Sequence, residues 1–471
     1  MKTVASLVPK FAASMVLLLP LVAPANPAPP LQAAVAEIDI TPPVGYRMAG
    51  YFDERLATGT HDPLKAKAIV LQQGKEKFAL AFCDLVGISL NVSTNVRAKL
   101  SRLTGIPVAH ILISCTHSHT GPLFDDVRRD FFHGQAVAKF GKDPQEEIYY
   151  PEFLTDKLVT VFREANDRLA PANVSVGIAK QEGLSFNRRY YMKNGKVAFN
   201  PGQLNPNIVK PAGPVDPDVG MLFVATPDNT RVLGGLTIFA CHGDTIGGTE
   251  FSADYPFFLQ QTLRDKFGDQ YISAFAAGTC GDINHINTGV KEDRVKGFDV
   301  AHRIGTTLGK TVIAAHDQAS NISQPRFAMK NKTLTVPLQE VTEEQVNEAQ
   351  TKLPRLEANG SFWEKVEVVK TIDLANHGKT WPMEVQVFRL DDDTAIVGLP
   401  GEIFVELGLA IKQASPFQRT FVISICNDRP SYVPTQKAFG EGSYEVTNSR
   451  VKAGTGEMLV ETATELLKKL K

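Results

Sequence analysis

Cysteine is scarce in this chain: there are five in 471 residues, Cys83, Cys115, Cys241, Cys280 and Cys426. So sparse and odd a set excludes a disulfide framework and leaves at least one thiol free. No two cysteines stand at Cys-x-x-Cys spacing, the usual arrangement of structural zinc. Runs of Lys or Arg are missing too, and the net charge is -1. Both facts exclude a nucleic-acid partner. Beyond the N-terminal segment no stretch is apolar enough to span a bilayer. There is no internal repeat and no low-complexity linker. The remaining composition, 43% hydrophobic and 21% charged, is that of an ordinary globular chain with a large core.

Lys2 and Lys10 precede an apolar segment over residues 11–22, and small residues and prolines follow. This reads as a secretory signal peptide with a leader reaching residue 35. It predicts an exported soluble protein, secreted or periplasmic. An uncleaved membrane anchor is the alternative. A single large catalytic domain is expected over residues 36–471.

Within that domain, strand and helix patterns alternate. Residues 66–72 and 78–83 flank Gly74-Lys75 as a hairpin, and 385–390 and 394–399 flank three aspartates as another. Residues 110–115, 174–179, 219–225, 233–240, 272–276 and 421–425 read as strands. Helices are expected over 90–103, 151–169, 255–267, 295–315, 404–414 and 457–470. Thr342-Glu343-Glu344-Gln345 matches a capping box, which places a helix start there. The mixture defines an α/β fold with mixed β-sheets flanked by helices.

The chemistry concentrates at strand ends. The apolar run Ile111-Leu112-Ile113 leads into Cys115-Thr116-His117-Ser118-His119-Thr120-Gly121-Pro122. If strand geometry persists there, both imidazoles point to one face. Cys241-His242-Gly243-Asp244, Pro400-Gly401-Glu402, Asn427 to Tyr432, and Asn187-Arg188-Arg189 also follow or adjoin apolar runs. Tyr444 stands in Gly442-Ser443-Tyr444-Glu445. Singly each segment has a plain reading as a turn, a loop hydrogen bond or a core residue.

Together and in this order, from Ala36-Glu37-Ile38-Asp39-Ile40-Thr41-Pro42-Pro43 to the Tyr432/Tyr444 pair, they resemble the catalytic domain of the neutral, non-lysosomal ceramidases. The resemblance implies a zinc amidase acting on ceramide or a related N-acyl lipid, with contact to a membrane surface where that substrate resides. It implies Zn2+ held by His117, His242, Glu402 and Tyr432. His119 would act on the water, and Arg188 and Tyr444 would assist the carbonyl, with Arg189 the neighbouring alternative to Arg188. Two imidazoles and a carboxylate are standard ligands of catalytic zinc and leave room for water. The family's further immunoglobulin-like domain has no counterpart in the sequence after Tyr444, which reads as a short form. Asn284 stands where the family has a serine, and His285 has no family role.

Other readings use the same residues. A thiolate site would combine Cys115, Cys241 and Cys280 with His117 or His242. A two-metal hydrolase, acting on an ester or phosphoester, would need Asp84, Asp244 or Asp282 near the histidines. A noncatalytic lipid- or glycan-binding protein would need neither His119 nor Tyr444. Residues 124–147, with no clean period, read as an irregular binding loop. Phe131 and Phe132 there, and the segment 439–444, are the expected specificity elements.

Overall fold

A computed structural model describes residues 1–5, 9, 30–356 and 360–471. The expected apolar core of the signal peptide lies outside the described residues.

Three sheets repeat one plan: an antiparallel hairpin, a helix, and a strand returning parallel to the second hairpin strand. In the first, β1 (Leu31–Asp39), β2 (Lys65–Gln73), β3 (Glu76–Cys83) and β4 (Ile111–Cys115) lie in the order β4-β3-β2-β1. Helix α1 (Leu90–Thr104) joins β3 to the parallel β4. In the second, β5 (Asn173–Lys180), β6 (Asp218–Ala225), β7 (Val232–Phe239) and β8 (Ile272–Ala277) lie in the order β8-β7-β6-β5. Helix α4 (Tyr255–Phe267) joins β7 to the parallel β8. In the third, β9 (Ala328–Pro337), β10 (Thr380–Arg389), β11 (Thr394–Gly398) and β12 (Arg419–Ile423) are consecutive neighbours. Helix α8 (Val405–Ala414) joins β11 to the parallel β12. The repeat lies in topology alone; the residues of the three units have no common pattern, so the sequence shows none.

The inner strands of each sheet are buried on both faces, which explains their continuous apolar runs. Phe78, Leu80, Phe82 and Leu112 from the first sheet meet Leu236, Ile238 and Ala276 from the second and Phe388, Ile396 and Ile423 from the third in one shared core. Alternate residues point outward, as the pleat requires. There Ile111 and Ile113 pack on α1 and on α3 (Tyr150–Asp167). Phe239 and Phe275 pack on α4 and α5 (Phe298–His316). Val387 and Val397 pack on α8 and the terminal α9 (Thr455–Leu470). The common core makes one α/β domain of the three units.

Several expectations are corrected. β1 begins at Leu31, ahead of residue 36, because the small leader residues pair with β2 from Leu31↔Gln73 onward. Residues 124–147 are not an irregular loop: Val127–Phe140 form helix α2, capped by Asp126. Its mixed Phe, Asp and Arg content hides the period, because ion pairs (Arg47 with Asp143, Arg129 with Glu146) hold it in place. Phe132 is buried against Ala49 and Leu123, with Phe131 packed beside them. The pair therefore packs on its own domain, Phe132 buried and Phe131 half-buried. The segment 439–444 is divided between two short helices, Gln436–Glu441 and Tyr444–Thr447. Beyond the predicted helix α6 (Glu343–Lys352), whose capping box forms, lies an unexpected α7 (Phe362–His377).

The three parallel pairs bring their carboxyl ends together, where open α/β sheets bind ligands. Backbone bonds lace the loops leaving them: Asn427 N donates to Ile113 O at 2.7 Å, and Ser424 N to Ala277 O at 3.0 Å. Ser118 bridges Gly243 in the same way. The fit is close. A Cβ on Gly243 would sit 2.6 Å from the His117 carbonyl, and one on Gly281 would sit 2.4 Å from that of Glu402.

Candidate metal centre

His117 stands two residues past β4 with φ 64°. Strand geometry therefore does not persist, and a turn rather than the pleat brings His117 and His119 together. Its Nδ1 donates to Val86 O, just past β3, at 2.7 Å. His242 follows β7, and its Nδ1 faces Cys280 O at 2.8 Å and Ile283 O at 3.1 Å, both just past β8. A carbonyl accepts only, so each Nδ1 carries a proton and each Nε2 is turned to the centre. The two rings lie 4.4 Å apart.

Glu402 enters from the third unit, just past β11. Its two-residue strand with Ile403 pairs in parallel with Tyr432–Val433, past β12. Glu402 Oε2 lies 3.3 Å from His117 Nε2 and 3.3 Å from His242 Nε2. None of these contacts has hydrogen-bond geometry; Glu402 Oε2 and His242 Nε2 are buried without a hydrogen-bond partner. Burial alone would raise the Glu402 carboxyl, but the two imidazoles hold it well below the usual carboxylate range. Burial, with Arg188 nearby, pushes His242 down to about 3. Two imidazole nitrogens and a carboxylate oxygen thus converge on one point. Buried acceptors are normally satisfied, and a cation between them is the group that fits. His117, His119 and His242 form a group of nitrogens close enough to share a metal ion.

His119 Nε2 lies 3.3 Å from His117 Nε2. Its Nδ1 is buried and unbonded, 3.9 Å from Asp244 Oδ1. Burial pushes the His119 imidazole well down, opposed by Asp244. Asp244 in turn accepts from Tyr51 and, at 2.6 Å, from Lys296.

Tyr432 is buried with its ring parallel to that of His242, and Tyr444 lies 5.5 Å from it. Burial raises both phenols, so each keeps its proton at neutral pH. Arg188 lies 5.5 Å from the Tyr432 ring and 5.9 Å from that of Tyr444. It donates to Glu445 at 2.8 Å and to Gly281 O at 2.8 Å. Arg189 shares Glu445 at 3.1 Å but turns onto Glu441 and the Phe404 ring. The geometry separates the two arginines, and it is Arg188 that meets the tyrosines. All seven expected residues are therefore brought together.

The thiolate cluster does not form, and of the three candidate aspartates only Asp244 stands beside the histidines, where Tyr51 and Lys296 hold it. All five cysteines are free and buried in apolar surroundings. Asp84 is paired with Lys67 at 3.0 Å. Asp282 accepts from Val405 N and Asn187, 2.9 and 2.8 Å away. The remaining histidine-carboxylate group, His133, Asp143 and Glu146, is already neutralised by Arg47 and Arg129. Sequence reasoning missed the anchoring role of Glu445, although it adjoins Tyr444. It read Asp244 as a second-metal ligand or a loop cap and overlooked Tyr51 and Lys296, which lie far from the motifs in sequence.

The profile of the family described as neutral/alkaline non-lysosomal ceramidase, N-terminal, matches residues 32–297, more than half of the chain. The chain belongs to that family, and it is a ceramidase-family hydrolase with a candidate metal-binding cluster. Two solved structures share its fold. The crystal structure of neutral ceramidase from Pseudomonas aeruginosa is 19% identical, with TM-score 0.70, covering 93% of this chain and 75% of the other. A ceramidase complexed with C2 is 17% identical, with TM-score 0.69, covering 93% and 76%. No curated protein sequence matches.

Proposed function

We propose that this chain is an exported zinc-dependent amidohydrolase that cleaves the N-acyl amide of ceramide or a related lipid. One observation carries the reading: Glu402 Oε2 stands 3.3 Å from the Nε2 atoms of both His117 and His242, buried and without a hydrogen-bond partner. These three residues, with Tyr432 beside His242, would hold the ion. Zinc bound there supplies the Lewis acidity that makes water a nucleophile near neutral pH. The Nδ1–H bonds to Val86 O, Cys280 O and Ile283 O fix both imidazoles in the ligating tautomer.

His119, neutral in its buried place, takes the proton released as water attacks the acyl carbon. It passes that proton to the amide nitrogen as the C–N bond breaks. Arg188 and Tyr444 donate to the carbonyl oxygen as it gains charge. One well-placed donor of this kind is worth ~3 to 4 kcal/mol. Arg188 cannot drift, because Glu445 and Gly281 O hold its other nitrogens. Export rests on the N-terminal Lys and apolar pattern.

The test is fatty-acid release from ceramide and from a fluorogenic N-acyl amide, before and after chelation. Release that stops with chelator and returns with added zinc is expected. Activity confined to phosphoesters, or indifferent to chelation, contradicts the reading.

A further inference from the structure

An unbroken chain of aromatic rings leads from the metal centre to solvent. Its inner end is Tyr432, 5.5 Å from Tyr444. Tyr444 then meets Phe362 at 5.3 Å and Trp363 at 6.5 Å. Phe362 meets Phe52 at 5.8 Å, edge to face. Tyr432 is buried and Tyr444 half-buried, but Phe362 and Trp363 are 44% and 48% exposed.

Single exposed apolar residues need no explanation. Two large adjacent ones, continuous with a site, mark a binding surface. Their position is fixed. The α7 start that bears them is closed by a capping box between Ser361 and Glu364. Lys365 on the next turn pairs with Asp53, which adjoins Phe52. The Arg128 guanidinium lies over the Phe52 ring at 5.5 Å. The helix start thus leaves its aromatic pair uncovered while the polar residues around it are tied down.

We propose that Phe362 and Trp363, with Phe52, form the apolar subsite that receives a long aliphatic chain of the substrate as it leaves the reacting amide over Tyr444. The proposal rests on the amidase reading of the metal centre. It transfers chain selection from the Phe131/Phe132 pair to α7. The occupant is a hydrocarbon chain because the path offers ring faces and edges continuous with the Tyr444 ring, and each methylene laid on them leaves water. Two hydrocarbon sources are available, the acyl chain and the chain on the amine.

The experiment compares wild type, Trp363→Ser, Phe362→Ser and the apolar Trp363→Leu on two substrate series. One varies the acyl group from acetyl to palmitoyl on a fixed amine; the other varies the amine chain on a fixed acyl group. The readout is the long-to-short ratio of kcat/KM, which a general loss of activity leaves unchanged. The serine variants are expected to lower that ratio by about tenfold in one series, roughly the effect of two methylenes losing their cover. The leucine variant is expected to keep most of it. The series that responds identifies the chain.

A second readout needs no catalysis: tryptophan emission of the metal-free protein titrated with palmitate. A saturable blue shift is expected in wild type and not in Trp363→Phe, and acetate should give none. Unchanged ratios in both series for the serine variants overturn the subsite. So does a Trp363→Ser enzyme that keeps its ratios but no longer sediments with phosphatidylcholine vesicles, which would assign the pair to membrane contact. A palmitate shift without any amide hydrolysis supports the subsite and overturns only the amidase reading. Neither shift nor hydrolysis overturns both.

Discussion

Gly281 lies so close to Glu402 that a Cβ on the glycine would stand 2.4 Å from the Glu402 carbonyl oxygen. The contact joins the second unit to the third, and Gly281 N donates to Ile403 O at 2.8 Å beside it. Both partners are backbone, so neither yields cheaply. Gly281→Ala should push the Glu402 turn away from the two histidines. Metal affinity is expected to fall by at least about tenfold, comparable to losing a supporting partner of a ligand. The far-ultraviolet spectrum should stay native, because the shared core does not reach this contact. Unaltered metal affinity in a folded Gly281→Ala protein would contradict the close fit.

His119 and Asp244 should separate proton transfer from metal binding. His119→Ala is expected to keep its metal and lose on the order of 10² to 10⁴ in kcat. Asp244→Asn should lose less, in kcat rather than KM, because it only faces the ring from 3.9 Å. Loss of metal in His119→Ala would instead make that imidazole a ligand, as its place among the three grouped histidines permits.

A pH effect on stability should appear away from the metal. Burial pushes the Asp428 carboxyl up to about 6, although the Trp381 indole and Arg429 N donate to it. A raised carboxyl pKa means that the folded state holds the proton longer. Its stabilising contribution is complete below the ordinary carboxylate value and is lost as pH rises through about 6. Relative to Asp428→Asn, the wild type should therefore be more stable at pH 5 than at pH 8. Between those two pH values the change is about 1.4 kcal/mol, the equivalent of the single pH unit from 5 to 6. Urea unfolding of both proteins at the two pH values measures it; a difference independent of pH would show that Asp428 is ionised throughout.

Much of the site was legible because ligating residue types follow apolar runs in four separate segments, and buried strands are the easiest elements to read. The meeting of His117 and His119 was read correctly for the wrong reason: a left-handed turn at His117, not strand alternation, unites them. The threefold plan left no trace, since topology constrains burial and length but not residue identity. α7 was hidden because Val366 and Val368 mimic strand alternation, although Ser361 and Glu364 mark its start. Helix α2 was hidden because ion pairs, rather than an apolar stripe, hold it. The supporting contacts of Tyr51, Lys296 and Glu445 arise only when units distant in sequence pack together.

The most direct measurement is metal content by mass spectrometry on purified wild type, His117→Ala, His242→Ala and Glu402→Gln, each dialysed against trace zinc. A catalytic site built from the three facing acceptors predicts one zinc per wild-type chain. It predicts almost none in either histidine variant and weakened binding in Glu402→Gln, whose amide oxygen still coordinates but carries no charge. Full zinc occupancy in both folded histidine variants, or two metals per wild-type chain, would contradict it.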